Sequence, residues 1–143
     1  MRKKNSKAEF SDERSRWLLR NFRESLARQS KISISRAFQE AVEAPAPRFW
    51  VSEARATRII MQLLKGIDLT EGMLPEKRKM YREIFRQVKI YKERHPEMAV
   101  GDIVFEIVNS PAPSSYLTPE YAYRVIKRSR VQGRLPGIHP SKL

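Results

Sequence analysis

The sequence predicts an all-α protein: two copies of a three-helix, helix-turn-helix-like unit packed into one compact helical domain. Three observations carry this. Apolar residues recur at helical spacing through most of the 143 residues. No alternating apolar run of useful length marks a strand. The chain also repeats itself, because Pro45-Ala46-Pro47 returns as Pro111-Ala112-Pro113. With that offset of 66, Ile34 to Ile60 aligns without a gap to Val100 to Ile126, and eight of the 27 pairs are identical. They include Glu40/Glu106, Val42/Val108, Ala56/Ala122, Arg58/Arg124 and Ile60/Ile126, while Trp50/Tyr116 and Ser52/Thr118 are conservative. Upstream, Phe22-Arg23-Glu24 resembles Tyr81-Arg82-Glu83 at an offset of 59, which places the second copy's extra residues near Lys89 to Pro96.

The first helix of copy one is expected to start at Ser11, a good N-cap followed by Asp12 and Glu13 at the positive end of the helix dipole. Its stripe is Trp17, Leu18, Phe22 and Leu26. In copy two Pro75 suits the first helical position, and Tyr81, Ile84, Phe85, Val88 and Tyr91 form the stripe. That helix should stop near His95, since a residue before proline resists helical geometry. The second helices run from Ser33 or Ser35 to about Glu43, and from Val100 to about Asn109. The Pro-Ala-Pro segments end them by removing amide donors. The third helices open at Ser52 and Thr118, with Pro119 at the first position of the second. Their inner faces are Ala56, Ile59, Ile60, Leu63 and Leu64, matched by Ala122, Val125 and Ile126, and Gly66 supplies a stop. The organisation expected is a basic N-terminal tail (residues 1–10), a first repeat (11–66), a linker (67–74), a second repeat (75–130) and a basic C-terminal tail (131–143).

Charge is the most informative bulk property. Twenty-nine Lys and Arg face 16 Asp and Glu, a net charge of +13. Such a surplus repels itself unless a polyanion shares it, and nucleic acid is the expected partner, DNA ahead of RNA. An anionic membrane surface is the weaker candidate, and the longest apolar runs are far too short for a membrane span. The chain has no cysteine, which excludes disulfides and thiolate metal sites. Met1 to Lys7 is basic with no apolar stretch behind it, so no secretory signal and a cytoplasmic location are expected.

Catalytic signals are thin, and no enzyme activity, metal or cofactor is expected. His95 and His139 each precede a proline, with no metal-ligand spacing around them. The five glycines form no phosphate-cradling loop, and the serines lack a nucleophile-elbow setting. The acids fit caps, first turns and ion-pair partners of Lys and Arg.

The candidate nucleic-acid contacts are two helix faces. Lys79, Arg82, Arg86 and Lys89 share one face of copy two's first helix by spacing. Thr118, Arg124, Lys127, Arg128 and Arg130 lie on its third helix, and Arg134 extends the charge into the tail. In copy one, Arg55 and Arg58 are the counterparts, together with Arg48 and Lys65. Docked as a helix-turn-helix, the third helix would enter the major groove while its amino end approached phosphate. Two features depart from that motif. The connection from about Ser110 to Leu117 is long, and the third helix carries few side chains suited to base edges. Trp50 and Tyr116 precede the caps, where an aromatic residue more often anchors the helix start to the core than stacks on a base.

The segments from Pro45 to Ser52 and from Asn109 to Thr118 resemble motifs of small bacterial proteins, including some carried on mobile elements. The resemblance implies a bacterial or bacteriophage setting and assigns no site residues. The expectation is a DNA-binding regulator or accessory factor. The alternatives are an RNA- or ribosome-associated protein, or a structural component of a phage or mobile element that meets a protein partner or a second copy of itself.

Overall fold

The computed structural model describes the backbone of residues 2–132 and the side chains of residues 10–128. Six helices follow one another: α1 (Arg2–Arg28), α2 (Ile34–Glu43), α3 (Glu53–Leu64), α4 (Pro75–Arg94), α5 (Val100–Val108) and α6 (Pro119–Gln132). Among the described residues no strand forms, so the protein is all-α.

Local chemistry sets most of these boundaries. The Ser33, Ser52 and Thr118 side-chain oxygens accept hydrogen bonds from the amides of Arg36, Arg55 and Tyr121, capping α2, α3 and α6. Pro75 and Pro119 begin α4 and α6, where a missing amide costs nothing. Gly66, at φ 87°, lets the chain turn away after α3 in a conformation that other residues enter at a cost. Two expectations fail. Ser11 is no cap, because α1 runs through it from Arg2 and buries Phe10 against Trp50. Leu64 is 45% exposed, being in the last turn of α3 where the helix leaves the core.

The packing departs further from two sequential three-helix units. α1 packs on α2 and α4 on α5, but α3 packs against α5 and α4, and α6 against α2 and α1. Each half therefore receives its third helix from the other. Neither α2 with α3 nor α5 with α6 packs together beyond marginal contact. The helix-turn-helix-like unit expected from α5 and α6 is thus corrected: the long proline-containing connection carries the chain across the molecule instead of folding it back.

The Pro-Ala-Pro segments meet where the crossings occur. The Ala46 amide donates to the Ala112 carbonyl at 3.0 Å, and the Ala112 amide donates to the Ala46 carbonyl at 2.9 Å. The flanking bonds are related in the same way, Phe49 N–H to the Val108 carbonyl and Ser115 N–H to the Val42 carbonyl. Each pair becomes the other under the sequence offset of 66. Ala46 and Ala112 are each only 2% exposed, and the reciprocal bonds satisfy a backbone that would otherwise be buried without partners. Around this crossing Leu18, Phe22, Ile59, Ile60, Tyr81, Ile84, Val88, Ile103, Val104, Val108 and Ile126 form a single core, each side chain worth about 1.5–3 kcal/mol of burial.

Candidate nucleic-acid interface

The two basic faces differ once folded. On α4, Lys79 pairs with Glu76 at 3.1 Å, and Arg86 pairs with Glu83 at 2.7 Å. Arg82 lies 3.6 Å from Asp68, which the turn between α3 and α4 delivers to the helix and which Arg78 also approaches. Lys89 sits over the Phe85 ring. The acids respond as neighbours of cations should. Hydrogen bonds from Thr70 hold Asp68 below the usual carboxylate range, with Arg82 and Arg78 adding to the effect. The hydrogen bond from Arg86 does the same for Glu83. These cations share one helix face, but the fold gives most of them acid partners of their own.

On α6 the buried positions are Ala122, Val125 and Ile126, and the opposite side carries Arg124, Lys127 and Arg128, all exposed. None of the three makes an ion pair among the described residues. Arg124 and Lys127 instead lie over the rings of Tyr121 and Tyr123. Thr118 caps the helix, as expected. Arg130 belongs to α6, but its side chain, like Arg134, lies outside the described residues. In the first half Arg58 is exposed at the position equivalent to Arg124. Arg55 is exposed too, and its Nε donates to the Tyr81 hydroxyl at 3.2 Å. Arg48 is structural, since it donates to the carbonyls of Phe49 and Val51 and caps the ring of Phe10.

Trp50 is 7% exposed and packs against Trp17 and Phe10, so it serves the core. Tyr116 stacks face to face on Phe49 and holds a positive φ of 59°. Trp50 is thus held in the core, and Tyr116 has one face covered by Phe49. Sequence reasoning passed over Arg14, which occupies the apolar stripe of α1 three and four residues before Trp17 and Leu18. A cation at that position was the available signal. Arg14 is largely buried, donates to the Tyr121 hydroxyl, and is pushed toward its neutral form by burial.

His95 packs on Tyr91, and His139 lies outside the described residues. Among the described residues no three His, Asp or Glu side chains gather as a metal site would require. No described helix is long and apolar enough to cross a membrane. Comparisons with protein-family models, with curated proteins and with solved structures found no match in any of the three.

Proposed function

We propose that this chain is a non-enzymatic nucleic-acid-binding protein that lays the outward face of α6 along the phosphate backbone of duplex DNA. One observation carries the reading: Arg124, Lys127 and Arg128 stand together on an exposed helix face with no ion pair among the described residues, in a chain of net charge +13. A cation already paired must give up its carboxylate before it meets phosphate, whereas an unpaired one only releases counterions from the polyanion. Among its described residues the face offers Glu120, Tyr123 and three cations, with no Asn or Gln to read adenine. Binding is therefore to backbone and shape more than to sequence. A cytoplasmic role as a regulator or accessory factor of a mobile element follows from this reading together with the sequence resemblance.

The test is a fluorescence-anisotropy titration against unrelated duplexes, a hairpin RNA and single strands, at low and moderate salt. Duplexes should bind with similar affinities that fall steeply with salt, and Lys127→Glu/Arg128→Glu should lose most of the binding while remaining folded. Preference for the hairpin or for single strands would move the partner to RNA. Absence of binding to every nucleic acid at low salt would leave a protein partner as the role of this surface.

A further inference from the structure

Against α6 lies a cavity of about 260 Å³ walled by α1, α4 and the segment leading into α6, and Arg124 belongs both to its lining and to the outward face of the helix. Arg14, Lys77 and Arg124 supply three cations to its lining, against the single acid Glu76, whose carboxylate is held by Lys79. Trp50, Met80 and Leu117 provide apolar walls, and Thr118 brings the amino end of α6 to the rim. A second cavity, of about 350 Å³, shares Arg14, Trp50, Lys77 and Met80 with the first and reaches the amino end of α3 at Ser52.

Two donors in this wall are unspent. Among the described residues the Trp50 indole N–H has no acceptor, although the side chain is more than nine-tenths buried. Arg14 Nε is likewise buried and unpartnered, and Arg14 makes no ion pair among the described residues. Among the described residues its guanidinium donates to the Tyr121 hydroxyl. Buried donors are ordinarily satisfied, and a buried guanidinium is ordinarily matched by an acid. Burial has drawn the Arg14 guanidinium out of water, and among the described residues no carboxylate faces it.

We infer that the cavity is a binding site for a small organic anion: one carboxylate or phosphate group carried on an apolar or aromatic body. The anionic group sits against Arg14, whose planar fork suits both chemistries, with Arg124 and Lys77 beside it. The body lies along Trp50, Met80 and Leu117. The space lies just below the range of drug-sized ligand pockets, which suits a small anion of about one ring. The site centres on Arg14, which lies in the wall and not on the outward face of α6, so it can be tested apart from the nucleic-acid reading although Arg124 belongs to both.

The probes are benzoate, phenyl phosphate and neutral benzyl alcohol, added to the full chain while the Trp50 indole N–H resonance is followed by NMR. The two anions should shift that resonance saturably, and the alcohol should not. Whichever anion binds more tightly fixes the ligand as carboxylate or phosphate. Arg14→Met should weaken anion binding by about tenfold or more, the worth of one charge-assisted hydrogen bond, while duplex DNA binding stays unchanged. Lys77→Gln, at an exposed position, should weaken anion binding by a smaller factor and decides the matter should Arg14→Met fail to fold. Lys127→Glu/Arg128→Glu should leave anion binding intact. Equal response to all three probes, or wild-type anion affinity in the folded Arg14 and Lys77 variants, overturns the inference.

Discussion

α3 and α6 are the same helix on the inside and different helices on the outside. Ala56, Ile59 and Ile60 are buried in the first half as Ala122, Val125 and Ile126 are in the second. Outward, Arg58 matches Arg124, but Met61 and Gln62 stand where α6 has Lys127 and Arg128. Met61 and Leu64 leave α3 with an apolar outer edge, whereas the described solvent face of α6 carries three cations beside Glu120 and Tyr123. The contrast separates two constraints. Each third helix must fit the partner half across the Pro-Ala-Pro crossing, which fixes its inner residues. Nothing in the fold requires the outer residues to agree, and there the two helices are suited to different work.

The largest effects should come from breaking what the two helices share. Ile60→Ala and Ile126→Ala each remove a buried side chain at equivalent places, and each should cost about 2–5 kcal/mol in urea unfolding. The two losses should be similar, and a large difference between them would show that the exchanged packing is lopsided. Next, Ala46→Pro and Ala112→Pro each delete one donor of the reciprocal pair and leave a buried carbonyl without its partner. Each should cost about 1–3 kcal/mol, again measured by urea unfolding. Transferring the difference sharpens the comparison most gently. Met61→Lys/Gln62→Arg gives α3 the cations of α6, and should steepen the salt dependence of duplex binding by up to about two contacts' worth without loss of stability.

Much of the fold was legible because it is written locally. Ser33, Ser52 and Thr118 cap the helices they precede, and Pro75, Pro119 and Pro96 mark starts and stops through restrictions on their own or adjacent residues. The exchange of α3 and α6 was not legible, because apolar periodicity says that a face is buried but not against which helix. The unusual length of the α5 to α6 connection was its one trace. The candidate site divided along the same line. Helical spacing correctly put Lys79, Arg82 and Arg86 on one face and Arg124, Lys127 and Arg128 on another. Which face stays unpaired depends on rotamers of Glu76 and Glu83 and on Asp68 arriving from a turn, none of which spacing encodes. Arg14 was hidden for a related reason, since its weight comes from Trp50 and Tyr121, distant in sequence.

Among the described residues Arg124, Lys127 and Arg128 of α6 stand without ion pairs while Lys79, Arg82 and Arg86 of α4 have acid partners, and charge-matched variants test whether that difference decides contact with phosphate. Arg124→Gln/Lys127→Gln/Arg128→Gln and Lys79→Gln/Arg82→Gln/Arg86→Gln each remove three positive charges, so any non-specific loss is common to both. The measurement is the slope of log affinity for duplex DNA against log salt. The α6 variant should lose about 0.9 per missing contact, close to three in all, while the α4 variant should lose less than about one. An unchanged slope in the α6 variant, or equal losses in the two, would contradict the account.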